Sequence, residues 1–226
     1  MLLAEDLLLL LTDDESGKRQ ADTTRLDLAL AGAVLLDLVE LGRLDISGAG
    51  EEVKEGRLVV RNAAATDHPV LDLALERVAG RRPQKPAHIL GHLTKGLRSS
   101  VYESLQSRGL VDRRRKQVLG IFPSDHWPAV HSAHEEKVRR ALHDVLVVGR
   151  TPDQREVLLT SLLQSIDALP KVLGVSGADK RLVRSRGKEL AEGEPAGEAV
   201  GQAVMAARAA VIAAVSAAVA ASSSGG

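Results

Sequence analysis

Cations, rather than nucleophiles or metal ligands, are the side chains whose types and spacing could do chemistry in this chain. Between Arg77 and Lys116 stand eleven Lys and Arg residues, opposed only by Glu103 and Asp112. The segment therefore carries +9 in a chain whose thirty basic and thirty acidic residues cancel, and the remainder carries −9. A one-sided field of this kind concentrates an anionic partner at one surface. Lys95 and Arg98 are three apart, which on a continuous helix puts both on one face; Gly96 between them is where that continuity is at risk. Arg81 and Arg82 precede this pair, and Arg113, Arg114, Arg115 and Lys116 follow it as an unbroken cationic run. Polybasic clusters attract anionic lipid with roughly 1 kcal/mol per charge near the surface. The competing interpretation of any charge run is a solvated face with no partner.

Other chemistries find less support. His88 and His92 are four apart and His131 and His134 three apart, so either pair could offer two metal ligands. Neither has an evident third ligand or the glutamate of the zinc-protease pattern, so surface histidines and no metal are expected. The absence of cysteine removes disulfides, thiolate catalysis and cysteine metal sites together, and suits a reducing cytoplasm. Gly48-Ala-Gly and Gly174-Val-Ser-Gly are too sparse for a phosphate-cradling loop, and no nucleophile-elbow sequence occurs. A non-enzymatic protein without a cofactor is expected. The apolar start is broken by Glu5 and Asp6 and lacks a basic leader, which makes it a poor signal peptide. Tyr102, Phe122 and Trp127 are the only aromatics, too few for a base-stacking platform. The core must be built from Leu, Val and Ala.

The elements that position the cations centre on Thr23 to Ile46. Leucines and valines from Leu26 to Leu41 cover nearly the whole circumference of a helix, which marks a buried rod. Its roughly 17 apolar residues, broken by Asp27, Asp37 and Glu40, are marginal as a membrane span. Thr23 or Thr24 is the expected N-cap and Gly42 the C-terminal glycine. Leu2 to Leu11 reads as a first core helix. Arg43 to Ser47 and Gly56 to Arg61 alternate with period two and predict a hairpin. Asp67 is the expected cap of a helix over Val70 to Val78. A stiff Arg81-Arg-Pro-Gln-Lys-Pro connector leads to helices near His88 to Lys95 and Leu97 to Ser107. A second hairpin is expected from Leu110-Val-Asp and Gln117 to Pro123, with Arg113 to Lys116 at its turn. Further helices follow over Ser132 to Val148, from Thr151-Pro152 to about Leu169, and over Ala178 to Ala191. The Ala- and Val-rich segment Glu198 to Ala221 has roughly 13 apolar residues after Arg208, short of the ~20 of a span, so a closely packed core helix is expected rather than a tail anchor. One domain over residues 1–221 and a disordered tail over 222–226 complete the expectation.

An apolar helix ending in Glu40-Leu-Gly-Arg-Leu and followed by a short β segment resembles the Golgi phosphoprotein 3-like family, as a bacterial-type member. The resemblance continues through Leu71-Asp-Leu-Ala-Leu, the basic helix ending Ser107-Arg-Gly-Leu-Val, the hairpin and His126-Trp-Pro, up to about Leu146 and more loosely beyond. The order of elements carries it rather than any single motif. It implies a mostly α-helical fold, a central helical bundle with amphipathic helices and short β-hairpins. Members bind phosphatidylinositol 4-phosphate through a basic pocket, and eukaryotic ones hold glycosyltransferases by their cytosolic tails. Two basic positions of that pocket fall on Lys95 and Arg98. Its tryptophan falls at Asp22 and its central-helix arginine at Ala31, which removes a planar bidentate phosphate donor. Arg25, one turn on, is the candidate substitute.

The resulting expectation is a cytoplasmic, peripheral membrane protein. Lys95, Arg98 and Arg25 would bind an anionic lipid headgroup, phosphatidylinositol 4-phosphate by resemblance. Arg81, Arg82, Arg113, Arg114, Arg115 and Lys116 would form the membrane-facing patch. Phe122 and Trp127 would pack under the hairpin or enter the membrane interface. Two rivals remain. One is a winged-helix DNA binder, suggested by a helix followed by a basic hairpin but disfavoured by the few base-reading side chains in that helix. The other is an adaptor for acidic or basic protein tails.

Overall fold

The computed structural model describes residues 1–14, 16–17, 19–118, 122–130, 133–193 and 202–223, without the side chains of 115–118, 122–125 and 202–206. The fold is mostly helical. The first helix, α1 (Leu3–Leu10), is buried over its whole length, including Glu5 and Asp6. The rod expected from the sequence is α2 (Thr23–Glu40), with Leu26 and every residue from Leu28 to Val39 buried. Around it pack α1, α3 (Pro69–Ala79), α4 (Pro86–Leu93), α5 (Leu97–Ser107), α7 (Gln154–Ser165) and α10 (Gln202–Ser223). Outside this layer lie α6 (Ala133–His143), which runs into a π-helical turn at Asp144–Val148, the short α8 (Leu169–Val172), and α9 (Gly177–Glu192). One apolar core reaches from Leu3 to Val219.

The Ala/Val-rich α10 is a core helix, with Val211, Val215 and Val219 buried. It crosses α2 at Gly32, where a Cβ would fall 2.7 Å from Val215 Cγ2. Only a residue without a side chain permits that approach. The helix runs through Ser223, two residues past the expected boundary, and the Ser222 and Ser223 hydroxyls donate to Val219 O. Residues 224–226 lie outside the described ones. No helix among the described residues is long and apolar enough to cross a membrane.

The two antiparallel ribbons are β1 (Leu44–Ile46) with β2 (Leu58–Val60), and β3 (Arg114–Val118) with β4 (Phe122–His126). The first is where the alternation placed it. The second is shifted. Its register pairs Arg114 with His126 and Val118 with Phe122, so Arg114, Arg115 and Lys116 lie in a strand and the connection falls at residues 119–121, outside the described ones. A polar run suggests a turn, but a two-stranded ribbon exposed to water accepts charge along its length. The cations therefore line β3 rather than crown its tip.

Three expected caps also move. Asp22, not Thr23 or Thr24, caps α2, its Oδ1 accepting from the amides of Thr24 (3.0 Å) and Arg25 (3.1 Å). Asp67 adopts a left-handed φ of 59° and caps nothing; Asp72 instead accepts from the amide and hydroxyl of Thr66, both at 2.7 Å. The α7 start lies at Asp153, beyond Thr151-Pro152, because Asp153 and Glu156 exchange reciprocal 2.8 Å bonds with each other's amides.

The acids that interrupt the apolar helices join elements together. Asp37 of α2 caps α1 from the side, its two oxygens accepting from Leu3 (2.9 Å) and Ala4 (3.3 Å) amides. Burial pushes its carboxyl up to about 7 despite those amides and Arg155. Glu135 is also pushed up to about 8, first by burial and then by its bond to Asp14, against the pull of Arg139. Both acids therefore hold a proton more tightly folded than unfolded, and stability is lost as pH rises through this range. Denaturant unfolding is expected to show higher stability at pH 5 than at pH 8.5, and Asp37→Asn with Glu135→Gln should flatten the difference. A slope of opposite sign, or one that persists in the double variant, would contradict this assignment.

Candidate anion-binding site

Arg98 is in the first turn of α5. Its Nη1 lies 2.8 Å from Asp27 Oδ1 of α2, with the two side chains 24% and 22% exposed. The best candidate headgroup ligand thus already holds an internal anion. Asp27 is itself raised above the usual carboxylate range: burial raises it, Arg98 and then Arg19 oppose that, and Asp22 adds to it. A carboxylate so placed neutralises the guanidinium but leaves both groups partly wetted.

Lys95 does not share a continuous helix with Arg98. The chain leaves α4 after Leu93, passes through Gly96 at φ 74°, and restarts at Leu97. Only glycine adopts that backbone region freely, so the helical-face argument for the pair does not apply. Lys95 is exposed in the intervening turn. The turn is clamped by Arg77, whose Nη1 donates to the carbonyls of Leu93 (3.0 Å) and Lys95 (2.7 Å). One cation of the basic segment is therefore spent on ending a helix, while it fixes the position of the next.

Arg25 turns to a different neighbour, donating from Nη2 to Ser223 Oγ of α10 at 2.9 Å. Asp22 occupies the positive end of the eighteen-residue α2 with its own carboxylate, as a capping residue does. Ala31 is fully buried. These placements bring Arg98, Arg19, Asp27 and Asp22 into one electrostatic neighbourhood, with Arg25 facing α10.

Beside it, the chain's only tyrosine and tryptophan stack. The Tyr102 and Trp127 rings lie 4.8 Å apart and within 3° of parallel. The Tyr102 and Thr12 hydroxyls are 2.9 Å apart, and the Thr12 hydroxyl donates to Leu8 O, so Tyr102 is the donor of the pair. The phenol is raised by burial, against the charges of Arg19 and Arg98. Arg113 sits 5.4 Å over the Trp127 ring, in cation–π range. Trp127 is buried against Tyr102 of α5 rather than presented to a membrane interface; the Phe122 side chain lies outside the described ones. Arg114 Nε is 3.6 Å from Asp112 in an exposed pair, worth little by itself. The side chains of Arg115 and Lys116 lie outside the described ones. Arg81 and Arg82 are exposed just beyond α3.

Several structural charges escaped the sequence analysis. Glu5 accepts from the Leu2 amide (2.8 Å) and the Ser104 hydroxyl (2.7 Å), with His68 and Arg108 nearby. Burial raises its carboxyl, but these four partners outweigh that and hold it below the usual range. Asp6 meets Arg155 at 2.7 Å and His134 at 2.7 Å. His134 is thus engaged with α1 rather than left as a free surface histidine. The available signal was an adjacent acid pair inside a run of leucines, which demands buried partners. No group of metal-ligating side chains occurs among the described residues.

A comparison with curated proteins finds no match. A profile of the family described as Golgi phosphoprotein 3 (GPP34) matches residues 3–207, reaching past Leu146 into α10 and enclosing the whole basic segment. On that match and this helical fold, the chain belongs to the Golgi phosphoprotein 3 (GPP34) family.

Proposed function

We propose that this is a non-catalytic peripheral membrane protein that docks reversibly on anionic phospholipid. Arg98 and Lys95 would form its recognition centre, and the other cations of the Arg77–Lys116 segment would supply diffuse attraction. The observation that carries this is the family match over residues 3–207, which contains that segment entire. The charge asymmetry supports it independently, since nine net positive charges confined to forty consecutive residues favour an anionic surface. Phosphatidylinositol 4-phosphate is the favoured headgroup by family. The capping role of Asp22 and the burial of Ala31 leave fewer phosphate donors here than the family pocket has, so part of the affinity would be non-selective.

Asp27 enters this proposal as the counter-ion that a headgroup phosphate must displace from Arg98. Co-sedimentation with vesicles of neutral lipid, phosphatidylinositol and phosphatidylinositol 4-phosphate, the anionic sets matched in net charge, tests both parts. Binding to anionic vesicles should weaken with salt, with preference for the phosphorylated lipid. Asp27→Asn should tighten it roughly fivefold, in line with about 1 kcal/mol per charge near the membrane. No binding at low salt would refute the membrane proposal. Binding that Asp27→Asn leaves unchanged would refute the counter-ion role alone.

A further inference from the structure

A cleft that shares no lining residue with the Arg98–Asp27 pair opens between the β1–β2 ribbon and the α3–α4 corner. Its volume is about 330 Å³ and its walls are Val53, Leu58, Val60, Val78, Ala79 and Ile89. Three arginines, Arg61, Arg81 and Arg82, also line it. They are not equivalent. Arg61 is already committed, with Nη2 at 3.2 Å from Asp45 and 2.8 Å from Glu51. Arg81 and Arg82 are exposed, and among the described residues neither pairs with a carboxylate. Nor are they on a loose strand of chain. Gly80 ends α3, Pro83 follows Arg82 directly, and the carbonyl of Gln84 accepts the Leu58 amide at 2.8 Å, pinning the connector to β2. Pinning of this kind orders the backbone before any ligand arrives, which lowers the cost of binding.

An apolar floor with two uncommitted guanidinium groups beside it is a recognition pattern for one chemical class. We infer that this cleft binds a single-chain anionic amphiphile, with a carboxylate or phosphate on Arg81 and Arg82 and its alkyl chain against Val53, Val60 and Ala79, the apolar wall residues that are not buried in the core. The volume is at the small end of the roughly 300–1,000 Å³ usual for ligand sites, which suits one alkyl chain and not two. The planar guanidinium fork matches either oxyanion. The site is independent of the Arg98 centre, and a ligand free in solution would fill it whether or not the protein docks on membranes.

Isothermal titration of the full chain with decyl phosphate, decanoate, neutral decyl maltoside and inorganic phosphate, each below its aggregation concentration, tests this. Both anionic amphiphiles should bind, and the maltoside and inorganic phosphate at least tenfold more weakly. Arg81→Gln/Arg82→Gln should weaken decyl phosphate at least tenfold. Ala79→Trp, at an exposed position on the cleft wall, should abolish binding without touching the core. Lys95→Gln/Arg98→Gln should leave it unchanged, which separates this site from the headgroup centre. The proposal is overturned if no amphiphile binds, if the neutral one or inorganic phosphate binds equally well, or if Ala79→Trp has no effect. Vesicles of phosphatidylglycerol distinguish the source of the chain. Loss of vesicle binding in Arg81→Gln/Arg82→Gln, with no amphiphile bound in solution, would mean that these arginines serve a flat membrane surface and that the cleft is not a site.

Discussion

Replacing Arg155 with methionine should lower the melting temperature by about 6–12 °C, more than replacing its partner Asp6 with asparagine. Asp6 is 1% exposed on α1, and Arg155 of α7 reaches it through Nε at 3.0 Å and Nη2 at 2.7 Å while also donating to Met1 O. Breaking a buried pair by removing one partner costs roughly 3–5 kcal/mol because the remaining charge is stranded. The two ends of this pair are not alike. Arg155 is 37% exposed and His134 36%, so either side chain can turn to water if Asp6 is neutralised. Asp6 has no such exit. The lower end of the range, about 3 kcal/mol, is therefore assigned to Arg155→Met, which keeps the apolar stem. A protein of this size loses roughly 2–4 °C per kcal/mol. Asp6→Asn retains an acceptor and should cost about 1–2 kcal/mol. Thermal or denaturant unfolding of both single variants and the double variant measures this. The double variant should cost less than the sum, since the pair is shared. An equal or smaller loss in Arg155→Met would contradict the asymmetry.

The second large effect concerns the membrane. Lys95→Gln/Arg98→Gln should weaken binding to anionic vesicles by roughly 30-fold, taking about 1 kcal/mol for each of two cations near the surface. Removing Arg98 also leaves Asp27 without its 2.8 Å partner, so a local structural loss could imitate a binding loss. Adding Asp27→Asn to the double variant supplies the control, because it removes the stranded carboxylate while leaving both cations absent. Weak binding in both the double and the triple variant, with unfolding midpoints close to the parent in the triple, supports direct headgroup contact. Recovery of the parent's affinity in the triple variant, beyond the roughly fivefold that removing the Asp27 charge gives by itself, would show that the stranded carboxylate was the cause. An undiminished affinity in the double variant would move the membrane contact to β3 and the cations along it.

The sequence by itself determined most of the helical segments, though not α8, that α2 is the buried rod, that α10 belongs to the core, and the order of elements that marks the family. These follow from periodicity, and periodicity is local: Leu26 to Val39 declare a buried helix whatever surrounds them. The first hairpin was legible for the same reason. The caps were less so. Asp22 and Thr23 are neighbours of similar capping ability, and the backbone angles of the folded chain select between them. Only the tertiary structure decided which charges are available to a ligand. Arg98 and Asp27 are 71 residues apart, Arg155 and Asp6 149 apart, and the Leu3 amide and Asp37 34 apart. Composition counted those cations as a patch, but folding commits Arg77 to a helix end, Arg98 to an internal carboxylate and Arg113 to the face of Trp127. Arg81 and Arg82 are left uncommitted because a glycine, a proline and one backbone bond hold their segment at the protein surface. The reason is physical: an ion pair depends on separation in space and on the local dielectric, and neither quantity is written in the spacing of residues along a chain.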